Sequence, residues 1–393
     1  MTRTADALVI GAGIAGISTA WHLRRAGLSV ILIDAEGPAS GASGRNPGFL
    51  WLQSKAAGPT MDLALRLRGF AEDFARARGD TSFRACGGLV LWRDPEAEPA
   101  ARAYAADRRA AGLPIELLDG AAVRDLVPDV GPDVSGGVWN PLDAHQDSAG
   151  FARGLADEVH ENGAMLLTPA VASELLLTGD LCVGARLSDG TVIHAGLTVL
   201  ATGASPLLAN AGLAIPFRKV ACEAAETAPA PFRLGPAVAG QALFRAFASP
   251  AVQALDAPRH PVEAQWPDLG FTEQIASMPD GRLQFGCAYR LDATHDRPTV
   301  AGQTVAGAVL TRNFPALADL PIERAWAGLV ALTPDGLPVI DPTPGPDGLA
   351  LNLGHFFGNL AGTWSGHALS SALLGSEPPD PSLGLLAARR FAT

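Results

Sequence analysis

Apolar and polar positions recur along this chain at two periods, and each change of period marks an element. A short apolar run, Ala7-Leu8-Val9-Ile10, reads as a buried strand and leads straight into Gly11-Ala12-Gly13-Ile14-Ala15-Gly16. A helical stretch follows to Gly27, and a second apolar run, Ser29 to Ile33, ends in Asp34. Residues 60–78 and 97–111 predict helices rich in Ala, Leu and Arg, with a strand over Gly87 to Trp92 between them. Residues 148–163 predict another helix, capped by Asp147 or Ser148 and stopped by Gly163.

From 164 the pattern turns to hairpins. Leu166-Leu167, Val171 to Leu177, Leu181 to Leu187 and Val192-Ile193 are separated by Thr178-Gly179-Asp180 and Ser188-Asp189-Gly190, and Leu197 to Leu200 is a further buried strand ending at Thr202-Gly203. Residues 229–267, rich in Pro and Ala, show no clear period. Residues 270–290 give two strands around Pro279-Asp280-Gly281. The last third holds strands at Trp326 to Val330, Gly336 to Ile340 and Leu349 to Leu353, then a helix over 360–374, a linker at Glu377 to Pro381 and a short terminal helix. This order predicts an α/β protein. Segments 1–50, 140–215 and 326–393 would form a discontinuous Rossmann-like nucleotide domain, and 51–139 and 216–325 a substrate domain with a mostly antiparallel sheet. A ligand would lie in the crevice between them.

The opening strand, glycine turn, helix and second strand carry a physical signature. Gly11 permits a tight turn, Gly13 lets backbone approach a pyrophosphate, and Gly16 lets the helix pack on the strand. The helix N-terminus at Ile14 and Ala15 offers N–H groups and partial positive charge to that pyrophosphate. Asp34, 18 residues after Gly16, stands where a carboxylate accepts from a ribose 2′-hydroxyl, with Ala35 beside it. The unit predicts a dinucleotide site.

Composition narrows the class. Hydrophobic residues make up 48% of 393, enough for a large core, and no apolar run reaches the roughly 18–20 residues of a membrane span. The first apolar stretch lacks the basic flank and cleavage site of a signal peptide, so a cytoplasmic protein is expected. Net charge is −11 with no basic run, which excludes a nucleic-acid partner. The four cysteines, Cys86, Cys182, Cys222 and Cys287, form no CxxC pair, so no metal site and no disulfide framework is expected. The only two lysines are Lys55 and Lys219; Lys55 reads as a solvated side chain.

Several motifs in order resemble the FAD-dependent amino-acid oxidase superfamily, the group of glycine oxidase, sarcosine oxidase and D-amino-acid dehydrogenase. They are Val9 to Asp34, Gly41 to Gly48, Val199 to Gly203, Trp326-Ala327-Gly328-Leu329 with Thr333 to Ile340, and Gly354-His355. The resemblance implies FAD as cofactor and gives its contacts to matching positions. Gly11, Gly13 and Gly16 would meet the pyrophosphate and Asp34 the adenosine ribose. Ser43, Gly44, Arg45 and Asn46 would line the phosphates and ribityl chain. Val171 would pair through its backbone with adenine, and Thr202-Gly203 would close that end. Gly328 would line the site, and Gly354, His355, Gly358, Asn359 and Leu360 would bring backbone N–H groups to the flavin's pyrimidine edge.

Departures from the family pattern bear on chemistry. Glycine oxidase-like members carry carboxylate-binding arginines where this chain has Val330 and Phe357. A buried carboxylate needs a cation, and Arg290, beside Tyr289, is the substitute candidate. No cysteine follows Cys287, so the covalent flavin tether of sarcosine oxidase-like members is absent and FAD is expected to be non-covalent. There is no second GxGxxG after a strand, so the substrate itself should supply the electrons. The reading is oxidation of an amine or amino-acid C–N bond by hydride transfer to FAD, then imine hydrolysis, with oxygen or a quinone as final acceptor. Tyr289, Arg290 and His355 are the candidate catalytic residues. The alternatives are a 2-hydroxy-acid dehydrogenase using His355 or His145 as base, and a non-catalytic FAD-binding component of a larger complex. Some relatives, such as opine oxidases, work in hetero-oligomers, and the Gly41 to Gly48 loop is similar to theirs; homo- or hetero-oligomeric partners stay open.

Overall fold

The computed structural model describes residues 1–246 and 249–392. The chain divides into two compact units, each built from separated segments: Met1–Asn46, Ser148–Lys219 and Val330–Thr393 in one, Pro47–Asp147 and Val220–Leu329 in the other. The sequence reading puts the joints at 50, 139, 215 and 325; the observed breaks follow 46, 147, 219 and 329. His145 and Gly328 accordingly belong to the second unit.

The first unit is built on an eight-stranded sheet. Its spine runs Val339–Asp341, Leu349–Leu353, Val192–Leu200, Thr2–Ile10, Val30–Ile33, Met165–Leu167. The central pairings are parallel, with Ala7 to Ile10 opposite Val30 to Ile33 on one side and Leu197 to Leu200 on the other. These runs are apolar on both faces because helices cover a parallel sheet on both sides. Val192–Leu200 is one continuous strand, where the sequence suggests two pieces, since His194 and Gly196 alternate outward without breaking the ladder.

Helices Ile14–Arg25 and Gly358–Leu374 pack closely. A Cβ on Gly362 would overlap Ile14, and one on Gly366 would overlap Ser18, so both positions require glycine for this approach. The Ser18 hydroxyl donates to the Thr363 carbonyl at 2.8 Å across the contact. The second helix is apolar nearly all round, as befits a buried element.

The second unit holds another eight-stranded sheet: Ile322–Leu332, Arg218–Thr227, Leu283–Leu291, Gly270–Ser277, Ala237–Gly240, Gly88–Trp92, Gly136–Asn140, Glu116–Asp119. Strands Ala237–Gly240 and Gly88–Trp92 are parallel; the pairs around them are antiparallel. One face packs Leu89, Val238, Ile275, Leu283 and Phe285 against Val305, Val309 and Leu310 of helix Val300–Asn313. That helix and the strand Arg218–Thr227 are elements the sequence does not announce. The helix is Gly/Ala-rich and apolar around most of its circumference, so its period is weak. The strand carries charged Glu223 and Glu226 at buried positions, which mask its apolar signal. In the unassigned stretch 229–267 lie the strand Ala237–Gly240 and short helices Leu243–Ala246 and Pro250–Gln253; residues 247–248 of it fall outside the described residues. Among the described residues no helix is long and apolar enough to cross a membrane.

Candidate functional site

In the first unit the glycine turn is as tight as the sequence reading requires. Gly11 has φ +108°, and a Cβ there would overlap the Ala201 carbonyl. A Cβ on Gly16 would overlap the Gly11 carbonyl oxygen, so helix and turn can approach only as glycines. The helix Ile14–Arg25 starts at Gly13 with no side-chain cap and no acid in its first turn. Ser43 Oγ accepts from the Ile14 N–H at 2.9 Å, which ties the loop at Gly41 to Gly48 to the helix start. Gly44 lies where a Cβ would overlap the Ala39 carbonyl.

Asp34 organises the rim of this turn. Its Oδ2 accepts from the Ala12 N–H at 2.8 Å, and its Oδ1 from the Glu36 and Gly37 N–H groups at 2.9 Å each. Oδ1 thus has both lone pairs engaged, while Oδ2 keeps one for a hydroxyl. Val171 is exposed and its carbonyl accepts from Ser188 N at 2.9 Å. Gly203 (φ +80°) accepts from the Gly354 N–H at 3.0 Å, so two of the expected cofactor segments meet there.

The C-terminal segment adds a second helix start. Gly358–Leu374 also begins without a side-chain cap or an acid in its first turn. Its amides therefore present partial positive charge. Just before it, His355 Nε2 lies 2.6 Å from Asn352 Oδ1, and the Asn352 amide donates to Thr19 Oγ1 at 3.1 Å. Asn352 Oδ1 can only accept, so Nε2 carries the proton and Nδ1 is the lone-pair nitrogen. That Nδ1 is buried without a hydrogen-bond partner. Burial lowers the His355 pKa to about 4, so the ring is neutral at pH 7. Asn352 is not among the sequence candidates; only its position three residues before His355 hints at the clamp.

These features fit a dinucleotide. Two uncapped helix starts offer N–H groups, the glycine cradle leaves no room for side chains, and an orphaned buried nitrogen faces no protein donor. Ile14, Ala15, Gly358, Asn359 and Leu360 stand at these helix starts, with the Ile14 N–H already held by Ser43 Oγ and the Leu360 N–H by the Phe357 carbonyl; Ala35, Arg45, Asn46 and Thr202 border the same strand ends in sequence.

The second unit carries its own polar features. A cavity of about 620 Å³ is lined by Tyr289 and Arg290, with Arg245, Arg259, Glu263 and Asp268 among the other residues. The Tyr289 ring lies over Gly270, where any Cβ would overlap it. Arg290 is committed: its Nε lies 3.4 Å from the buried carboxylate of Glu223, and another nitrogen donates to the Arg297 carbonyl at 3.2 Å. Glu223 also holds the start of helix Val300–Asn313 through Thr299 N and Oγ1, both at 2.9 Å.

Four further buried groups stand out. Lys55, read from sequence as solvated, is only 5% exposed; its ammonium nitrogen lies 2.9 Å from Ser54 Oγ, and burial drives its pKa well down. The fold draws it in because the Gln53 and Lys55 carbonyls are both held by the buried Arg108. Asp143 accepts from Leu52 N at 2.6 Å and Gln53 Nε2 at 2.7 Å, while burial pushes its pKa to about 6. His145 is held by its Nε2 contact with the Pro47 carbonyl at 3.0 Å and lowered by burial to about 4. Glu273 packs its carboxyl on Gly240, has one oxygen without a partner, and is raised by burial to about 8. Among the described residues no cluster of His, Cys, Asp or Glu could hold a metal ion.

Comparison with known proteins agrees with this geometry. A family model described as FAD dependent oxidoreductase matches residues 6–375. A D-amino acid dehydrogenase of Rhizorhabdus wittichii is 26% identical, covering 98% of this chain and 99% of that protein. A glycine oxidase of Pseudomonas putida is 24% identical, covering 94% of this chain and 95% of that one. The crystal structure of glycine oxidase from Geobacillus kaustophilus superposes with a TM-score of 0.81 at 21% identity over the whole of both chains, a likeness of fold.

Proposed function

This chain belongs to the FAD-dependent oxidoreductase family, and on that premise we propose that it oxidises a C–N single bond of an amine or N-substituted amino acid, the product imine then hydrolysing in water. When bound, FAD supplies a two-electron acceptor that takes hydride from the substrate's α-carbon. The chain's own residues do the rest. The amides at Ala15 and Gly16, with Ser43 and Arg45, would hold the pyrophosphate, and the Asp34 carboxylate a ribose hydroxyl. The start of helix Gly358–Leu374 would favour negative charge developing beside it.

The observation that carries the reading is the state of the two histidines. Oxidation of a hydroxy acid wants a general base with a pKa near 7. His355 and His145 are both neutral but held near 4, and each has Nε2 committed to an oxygen. A neutral amine gives up hydride without such a base, so C–N oxidation asks less of these residues. The names of the matched relatives, a D-amino acid dehydrogenase and a glycine oxidase, point the same way.

The test is anaerobic mixing of the yellow holoenzyme with primary amines, N-methyl amino acids, opines and 2-hydroxy acids. Bleaching of the flavin's visible band by amines or amino acids supports the proposal. Bleaching by hydroxy acids alone overturns it. Admitting oxygen or a soluble quinone afterwards then identifies the acceptor by the rate of colour return. Co-purification of a second polypeptide with the native protein would assign it a hetero-oligomeric partner.

A further inference from the structure

The four cysteines lie far apart in sequence, yet the sheet of the second unit brings two of them together. Strands Arg218–Thr227 and Leu283–Leu291 run antiparallel, with Cys222 opposite Tyr289 and Glu223 opposite Ala288. The next pair is Ala224 with Gly286, so Cys287 is the extra residue of a β-bulge. Glu223 and Ala288 face helix Val300–Asn313: Glu223 accepts from Thr299 N at 2.9 Å, and Ala288 joins the core around Val305. Alternation sends Cys222 and Tyr289 to the opposite face. The bulge brings Cys287 to them, and the Cys222 and Cys287 thiols hydrogen-bond to each other.

The two thiols differ in their surroundings. Cys287 is buried, and the hydrogen bond to Cys222, then burial, pushes its pKa well above the usual thiol range. Cys222 is half-buried, so an oxidant in solution meets it first. The other two cysteines are held differently: Cys182 donates to the Gly184 carbonyl at 3.7 Å and Cys86 to the Gly87 carbonyl at 3.5 Å. Thiols already in hydrogen-bond contact need only a short approach to reach the sulfur–sulfur distance of about 2.05 Å in a disulfide. The bulge supplies that freedom, since the register on both neighbouring strands passes over Cys287.

We propose that Cys222 and Cys287 form a reversible disulfide with a peroxide as oxidant, which makes the bulge a redox-sensitive modification site. Hydrogen peroxide oxidises the Cys222 sulfur to a sulfenic acid, its O–O bond breaking and one water leaving. The Cys287 sulfur then attacks the Cys222 sulfur: the S–S bond forms, the S–O bond breaks, and the Cys287 proton departs with the hydroxyl as a second water. Two thiols give up two electrons in all and the peroxide takes them; a dithiol reductant restores both thiols. Tyr289, paired with Cys222 across the strands, lines the cavity of about 620 Å³, so the bond forms in that cavity's wall. The inference stands whichever substrate reduces the flavin, because it needs only a peroxide and the two sulfurs.

Thiol titration of the holoprotein, acid-quenched and unfolded in urea, counts the sulfurs. Reduced protein should show four thiols, and protein treated with stoichiometric hydrogen peroxide or with diamide two, returning to four in dithiothreitol. Peptide mapping should find Cys222 joined to Cys287 within one chain. Cys222→Ser and Cys287→Ala should each keep three thiols in diamide, whereas Cys86→Ser should fall from three to one. A second readout follows the cavity wall. Tyr289 is one of two tyrosines, and burial, then charge on Cys287 and Cys222, holds its hydroxyl above the usual phenol range. The disulfide removes both of those charges, so the Tyr289 phenolate band should appear at lower pH in oxidised than in reduced protein, a shift absent from Cys222→Ser. Four thiols after both oxidants, a Cys222 sulfinic acid in place of the bond, a link involving Cys86 or Cys182, or an unmoved phenolate titration would each overturn the proposal.

Discussion

Glu273→Gln isolates one buried proton. The Glu273 carboxyl is packed on Gly240, one of its oxygens has no partner, and burial outweighs the attraction of Arg93 and Arg312, so its pKa rises from 4.5 to about 8. An acid whose folded pKa lies above its unfolded value keeps its proton longer in the folded state. Its contribution is therefore most favourable below about 4.5, declines as pH rises through that window, and levels off above about 8. At 1.36 kcal/mol per pH unit, that interval corresponds to about 5 kcal/mol of stability lost by the wild type on going from acid to mildly alkaline solution. Glutamine preserves volume and hydrogen-bonding shape but cannot ionise. Urea unfolding of both holoproteins between pH 5 and 9 measures the difference. The two curves should diverge with rising pH, the wild type losing stability relative to the variant between pH 5 and pH 9. Parallel curves across that range would show that Glu273 finds solvent or a partner, and the burial argument would fail.

Other expectations follow from the same physics. Gly16→Val places a branched side chain against the Gly11 carbonyl, so the protein should purify colourless, with FAD affinity by fluorescence titration reduced at least about a hundredfold. Asn352→Leu leaves the His355 Nε2 proton buried and unpaired, costing about 1–3 kcal/mol in urea unfolding, whereas Asn352→Asp should recover part of it as an acceptor. Lys55→Met removes an amine whose pKa is depressed by burial. Because the unfolded chain binds the extra proton below its ordinary pKa, the variant's stability advantage should be largest at low pH and shrink as pH rises toward 10.5; an advantage independent of pH would refute a lysine whose pKa burial depresses. Gly366→Leu overlaps Ser18 at the helix contact and should lower the melting temperature without altering the absorbance spectrum of whatever FAD remains bound.

The chain's local chemistry determined the strand, glycine turn, helix and terminal acid at 7–34, because tight turns and close backbone approach admit only particular residues at particular positions. It also determined the apolar runs of the parallel sheet and the hairpins from 164 onward, where one period repeats without interruption. It could not announce helix Val300–Asn313 or strand Arg218–Thr227, whose periodicity is blurred by small residues or by buried glutamates that only tertiary partners neutralise. Tertiary structure alone decided the electrostatics. Lys55 reads as a solvated charge in one dimension, yet the fold buries it beside Ser54. Arg290 reads as available until Arg218–Thr227 pairs with Leu283–Leu291 and brings Glu223 beside it. Whether a charge is free depends on residues far away in sequence, since burial and neighbouring charges act through space and not along the chain.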